Sequence, residues 1–375
     1  MEKSKVYFTD LRARPGTSLP QKLEKLIRKA GIGDIDFDKK MVAIKIHFGE
    51  PGNLSYLRPN YAKVVADVVK SLGGSPFLTD CNTLYVGRRK NALDHLEAAY
   101  ENGFSPFSTG CHVIIGDGLK GTDDIEVPVV GGELVKSAKI GRAVMDADVF
   151  ITLSHFKGHE LTGFGGCLKN VGMGCGSRAG KMEQHNSGKP TVDHSKCVGC
   201  RFCAKNCAHG AISFGEDHKA TIDHSKCVGC GRCLGSCNYD AIHNDNDSAV
   251  DDLSKKIAEY SKAVLDGRPA FHINLVIDVS PYCDCHGEND LPIIPDVGMF
   301  ASFDPVALDQ ACADACNHMT PIQGSLLDEN THANGFCDHH DHFKNTTPIT
   351  DWKVCLEHAE KLGLGHREYE IIEVK

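Results

Sequence analysis

Residues 148–170 read DVFITLSHFKGHELTGFGGCLKN. A short apolar run, Asp148–Ser154, passes directly into His155, Lys157, His159 and Glu160, and a glycine-rich turn then leads to Lys169 and Asn170. Short apolar runs of this kind are the pattern of strands buried on both faces of a parallel sheet. Ligands of open α/β sheets bind beyond the carboxyl ends of such strands. The stretch therefore predicts both a buried strand and a candidate site at its end.

The same pattern repeats outward in both directions. Strands are expected at Lys5–Thr9, Met41–Phe48, Pro76–Asp80, His112–Gly116 and His272–Val279. Helices are expected between them, at Leu19–Ala30, Pro59–Leu72, Arg88–Asn102, Ala249–Asp266, Pro305–His318 and Asp351–Leu362. Asp304 followed by Pro305 marks a clear helix start. Alternating strands and helices predict an α/β fold, a mostly parallel sheet flanked by helices. The stretch Gly172–Pro190, rich in Gly, Ser and Lys, reads as a linker or mobile loop.

Two more strand ends are polar. One carries Lys45, His47 and Glu50, and the next Asp80-Cys81-Asn82. His and Lys are the usual proton donors and anion holders. Lys45, His47, His155, Lys157, His159 and Lys169 are thus expected to line one cavity as catalytic residues. Reducing an organic substrate adds negative charge, which cationic groups stabilise and an acid quenches with a proton. A small anionic substrate, a carboxylate or phosphate, fits that set. The alternative is that His155 and His159 bind a metal, with Cys167 or Cys175 nearby.

Composition narrows the class. The chain has 375 residues, 18 Cys, 20 His and a net charge of −9. Residues 1–190 carry +5 and residues 246–375 carry −14. No basic patch points to nucleic acid. No apolar run approaches the roughly 20 residues that span a bilayer. The start, MEKSKVYFTD, lacks the apolar centre of a signal peptide, so a cytoplasmic location is expected. In that setting closely spaced cysteines suggest metal rather than disulfides.

A repeat lies between the α/β segments. Residues 193–212 read DHSKCVGCRFCAKNCAHGAI and residues 223–242 read DHSKCVGCGRCLGSCNYDAI, with 12 of 20 positions identical. Each copy holds cysteines at x2-x2-x3 spacing: Cys197, Cys200, Cys203, Cys207, then Cys227, Cys230, Cys233, Cys237. Gly199 and Gly229 permit a tight backbone. The spacing resembles the bacterial two-cluster ferredoxin family over about residues 191–245, with Ala208 and Asn238 where a proline usually follows the fourth cysteine. In such proteins the fourth cysteine of each run ligates the other cluster. The expectation is two [4Fe–4S] clusters. Cys197, Cys200, Cys203 and Cys237 would hold one, and Cys227, Cys230, Cys233 and Cys207 the other. Paired zinc ribbons fit this spacing poorly. The chain would then divide into 1–190 and 246–375, two parts of an α/β body, interrupted by an inserted ferredoxin-like domain at 191–245.

Of the other cysteines, Cys283-Asp-Cys285-His286 and Cys337-Asp-His-His-Asp-His342 are compact ligand sets that invite a third metal centre. Gly116-Asp-Gly118-Leu-Lys-Gly121 matches a dinucleotide motif but is not followed by a helical pattern. Gly176–Lys181 only partly matches a phosphate loop. KIHFGE at 45–50, SHFKGHELTGFGGCLKN at 154–170 and FDPVALD at 303–309 resemble a family known as domain of unknown function 362, often labelled iron–sulfur cluster protein. Gly165-Gly166-x-x-Lys169 is similar to the lactate-racemase family, whose lysine holds a nickel pincer cofactor. Together these readings predict an iron–sulfur oxidoreductase passing electrons from a redox partner protein to a substrate in the α/β body. The alternatives are an electron carrier or adaptor, or a metal- or cluster-handling protein.

Overall fold

The computed structural model describes residues 3–84, 87–185, 189–207, 209–227, 233, 237, 239, 241–243, 250–333 and 340–375. Side-chain alternation along the strands lets one sheet serve two cores, because successive residues of a strand point to opposite faces. In β5 (Val149–His155), Val149, Ile151 and Leu153 face one core together with Val42 and Ile44 of β2 (Met41–Lys45). Phe150 and Ala43 face the other.

The sheet has eight strands: β1 (Ser4–Thr9), β2, β3 (Ser75–Asp80), β4 (His112–Ile115), β5, β6 (Ala270–Val276), β7 (Gly298–Ser302) and β8 (Tyr369–Glu373). Their order is β8-β1-β7-β6-β5-β2-β3-β4. Strands β6, β5, β2, β3 and β4 are mutually parallel. Strand β7 is antiparallel to both its neighbours, and β8 is parallel to β1. The sheet is therefore mixed, with a parallel centre. Six strands fall where the sequence places them. Strand β7, GMFAS, is short and opens on glycine, and β8, YEIIE, carries glutamates at an edge, so neither stands out as an apolar run.

Helices α1 (Leu19–Lys29), α2 (Pro59–Ser71) and α3 (Ala92–Glu101) supply one core. In α1, Ser18 and Gln21 form a reciprocal cap that satisfies free N–H groups of the first turn. Helices α4 (Cys167–Cys175), α6 (Val250–Leu265), α7 (Pro305–Asn317) and α8 (Lys353–Lys361) supply the other. The expected loop at 172–190 is a misreading over its first part. Helix α4 runs to Cys175 and α5 spans Arg178–His185. A Cβ at Gly172 would lie 2.1 Å from the Ile257 carbonyl oxygen, so that glycine lets α4 and α6 touch and does not loosen the chain. No helix among the described residues is long and apolar enough to cross a membrane.

Between these parts lie two small antiparallel pairs, Thr191–Val192 with Ile242–His243 and Ile212–Phe214 with Ala220–Ile222. Cys197, Cys203 and Cys233 are buried there with Ala220, Ala241 and Ile242. Cys197, Cys200, Cys203 and Cys237 border a small apolar pocket. Cys200 is exposed, and Cys207 and Cys227 are half-buried. Cys230 and Gly229 lie outside the described residues. The expected two [4Fe–4S] clusters need correction here. No three cysteine sulfurs of this segment lie within 4.8 Å of one another among the described residues, where one donor set elsewhere does. Two of the thiols instead accept backbone hydrogen bonds, Cys197 from Ala220 and Cys207 from Ala211, each at 3.4 Å. Regular spacing sets where cysteines stand along a loop; it does not by itself bring their sulfurs to one point. These two small sheets are separate from the eight-stranded sheet.

Candidate functional site

Parallel strands β2, β3 and β5 end side by side, and their last residues, Lys45, Asp80 and His155, open onto one cavity of about 900 Å³, its mouth included. All six residues expected to act together, Lys45, His47, His155, Lys157, His159 and Lys169, line it. Strand β2 stops at Lys45, so His47 stands in the turn beyond the sheet. Lys157 and His159 come from a short hairpin strand, Lys157–His159, paired with Gly163–Gly165. Lys169 rises from the first turns of α4.

The floor is a closed set of ion pairs. Lys45, fully buried, holds Asp80 at 3.0 Å and donates to the Asn170 side-chain oxygen at 2.7 Å. Burial alone would raise the Asp80 carboxyl, but Lys45 and then His47 and His95 hold it well below the usual range. Arg89 reaches Glu50 at 2.7 Å and His47 at 2.9 Å. Burial, reinforced by the Arg89 charge, pushes His47 down to about 3. Arg89 lies before α3 and has no motif around it, so nothing local marked it as part of the site.

His155 is an anchor. Its Nδ1 faces Asp284 at 2.8 Å and its Nε2 faces the Ile277 carbonyl at 2.7 Å. Both ring nitrogens are therefore taken, and His155 has none left for a metal. Against the opposing effect of burial, His155 brings Asp284 down to about 2. The expected pairing of His155 and His159 around a metal with Cys167 or Cys175 does not form. Both cysteines sit in the apolar core, where burial pushes their thiols up.

The wall is cationic around one thiol. Lys169 Nζ lies 3.3 Å and Lys157 Nζ 3.7 Å from Cys283 Sγ. Cys283 is held well below an ordinary thiol, first by a hydrogen bond from Cys285 and then, against burial, by the two lysines and His159. The same Cys283 raises Lys169 against the opposing effect of burial. His159 Nδ1 accepts N–H groups from Leu161 at 3.1 Å and Thr162 at 3.2 Å, which leaves its proton on Nε2. Burial lowers His159, and Lys169 lowers it further. Among the described residues neither Lys157 nor Lys169 has a carboxylate within 4.0 Å.

Loop 283–286 was visible in the sequence as a ligand set, and the structure brings it to the cavity. Cys285 and His286 meet Glu160 there, the three ligand atoms within 4.8 Å of one another. Cys337 of the other expected ligand set lies outside the described residues. His342, its last member, donates from Nε2 to the Met319 carbonyl, 2.7 Å away.

A family model described as a domain of unknown function, DUF362, matches residues 42–314. The chain belongs to the DUF362 family. The three stretches that resemble DUF362 lie inside this match, and the fold joins two of them. Asp309 of FDPVALD accepts the N–H groups of Cys167 at 2.7 Å and Leu168 at 2.9 Å, capping the helix that carries Lys169. No curated protein matches this DUF362 chain. Among solved structures it is similar to the lactate racemase apoprotein from Thermoanaerobacterium thermosaccharolyticum, at 13% identity and a TM-score of 0.37. It is also similar to a protein from Thermotoga maritima, at 15% identity and a TM-score of 0.36. Each match covers 68% of this chain and 49% of the other, so the chain spans about half the length of either.

Proposed function

We propose that this DUF362 protein is a metal- or cofactor-handling enzyme that takes a small anionic substrate into the strand-end cavity. One observation carries the reading: Lys157 and Lys169 converge on the same point of the wall, beside Cys283, with no carboxylate in ion-pair reach among the described residues. The floor cations Lys45 and Arg89 are already paired with Asp80 and Glu50. Among the described residues the wall lysines share only the Cys283 sulfur, so they are the ones a carboxylate or phosphate would engage beside it, through charge-assisted hydrogen bonds.

The step we assign is proton transfer to a substrate that develops negative charge: the two lysines stabilise that charge, and His159 carries an Nε2 proton into the same space. In this reading Lys45, His47 and His155 position the cavity wall and Lys157, His159 and Lys169 meet the substrate.

Titration calorimetry of the full chain with inorganic phosphate and with two- to four-carbon carboxylates tests the binding step. At least one of these anions should bind, and Lys169→Met should weaken it about tenfold or more, a loss of about 1.4 kcal/mol or greater. Equal binding by the unaltered chain and Lys169→Met, or no binding of any anion, would remove the basis for the reading.

A further inference from the structure

We infer that Glu160, Cys285 and His286 form a mononuclear site for a zinc-like divalent metal at the rim of the cavity. This goes beyond the anion reading and does not depend on it. The three donor atoms, one carboxylate oxygen, one thiol sulfur and one imidazole nitrogen, all lie within 4.8 Å of one another. That mixture of O, S and N donors suits zinc and its close neighbours and disfavours magnesium or calcium, which take oxygen.

A second observation points to a ligand. Glu160 Oε1 is paired with His286 Nε2 at 2.9 Å, but Glu160 Oε2 is buried with no hydrogen-bond partner. A carboxylate oxygen withdrawn from water without a partner is costly. A cation bound between the three side chains would satisfy it and would replace the pairing of His286 with Glu160 by two metal bonds.

The donors are also held in place, as a metal site requires. His286 N–H donates to the Cys283 carbonyl at 3.1 Å, and Glu50 N–H donates to the Asp284 carbonyl at 2.9 Å. Asn53 donates to the His286 carbonyl at 3.1 Å. On the other side, Gly158 N–H donates to the Ser280 carbonyl at 2.8 Å. A Cβ at Gly158 would stand 2.6 Å from the Pro281 carbonyl oxygen, so only glycine lets the hairpin that leads to Glu160 lie this close to the ligand loop. Three protein donors with a further position left for water or substrate is the composition of catalytic zinc sites, whereas structural sites close with four. Glu160 and Cys285 both line the cavity, so a metal held by them would adjoin the space next to Lys169.

The test counts metal directly. Full-length protein stripped with a chelator is titrated in phosphate-free buffer with Co²⁺ alone and with Zn²⁺ alone, and bound metal is measured by elemental analysis. Because free thiols elsewhere in the chain can pick up added Co²⁺ or Zn²⁺, the difference between variants is the readout. Cys285→Ser, His286→Ala and Glu160→Gln should each bind one ion fewer than the unaltered chain at limiting metal, or bind it about 10–100-fold more weakly. Cys285→Ser should also lose thiolate-to-cobalt absorption, and His286→Cys should restore the ion with added absorption of that kind. Equal metal content in the unaltered chain, His286→Ala and Glu160→Gln overturns the site. These two variants alter partly exposed side chains and give the same count if Cys285→Ser fails to fold. Phosphate binding by the metal-free chain is measured separately, so loss of the anion reading leaves this result standing, and the reverse.

Discussion

The cysteine-rich segment at 191–243 and the strand-end cavity bring reactive side chains together by opposite routes. In the segment, cysteines are neighbours in sequence, held by strands of two or three residues around a small core of Cys197, Cys203, Cys233, Ala220, Ala241 and Ile242. In the cavity, the participants run from Lys45 to Cys285 and hang from an eight-stranded sheet with a core on each face. Nearness in sequence gives sulfurs that border a pocket. Distance in sequence gives Lys169 at 3.3 Å from Cys283, and His155 at 2.8 Å from Asp284. Convergence follows the rigidity of the scaffold, since a side chain can be aimed only as well as the element beneath it is fixed.

If that contrast is right, damage to the scaffold should reach the cavity and spare the segment. The largest effect is expected at Asp309. Its carboxylate accepts from Cys167, Leu168 and Asn274, at 2.7, 2.9 and 2.7 Å. Asp309→Ala leaves three buried donors without that partner, at about 1–3 kcal/mol each before relaxation. A net loss of roughly 4 kcal/mol in denaturant unfolding is expected, together with weaker phosphate binding through a displaced Lys169. Unchanged hydrogen-exchange protection in the amides of 191–227 should accompany it. Equal loss of protection in both regions would break the contrast.

A smaller effect is expected from pH. Burial pushes His272 of β6 down from 6.5 to about 3. In the unfolded chain this histidine takes a proton near its usual pKa, while in the folded protein it does so only near 3. The unfolded state therefore binds more protons across that window, and the stability His272 contributes is present above pH 6.5 and lost as pH falls toward 3. From pH 6.5 to 5 the loss should be roughly 2 kcal/mol. His272→Gln should flatten this limb of the stability curve relative to the unaltered chain; an identical slope would show that the acid sensitivity lies elsewhere.

The smallest effect is expected inside the segment. Gly199 has φ of +71°, and a Cβ there would meet the His218 carbonyl oxygen at 2.5 Å. Gly199→Ala should cost about 1–2 kcal/mol in local protection around Cys197 and Ala220. Phosphate affinity at the cavity should stay the same within error. A shift in that affinity would mean that the two regions are coupled.

Much of the site was legible because it is local. Lys157, His159 and Lys169 fall within one stretch whose apolar start names it a strand and whose polar end names it a site. Lys45 and His47 come from a second polar strand end and reach the same cavity because β2 pairs with β5, although His155 turns out to be tied down at both nitrogens. What escaped the sequence were residues whose part depends on a distant partner. Arg89 acts through Glu50 and His47, and Asp309 through the start of α4. Glycine was also ambiguous. Gly172 carries the same letter whether it loosens a loop or lets two helices touch, and only the 2.1 Å approach to Ile257 tells them apart.

The sequence by itself determined the alternation of strands and helices, the polar strand ends and the spacing of the cysteines, because each is a pattern within a window of some twenty residues. The tertiary structure decided the strand order, the reversed β7, the meeting of loop 283–286 with Glu160, and the lack of a shared sulfur point among the described cysteines. Those follow from which strands lie side by side. β5 sits between β2 and β6, strands that flank it in space but lie far from it in the chain. Such adjacency arises from burying apolar faces on both sides of the sheet, which no local pattern records.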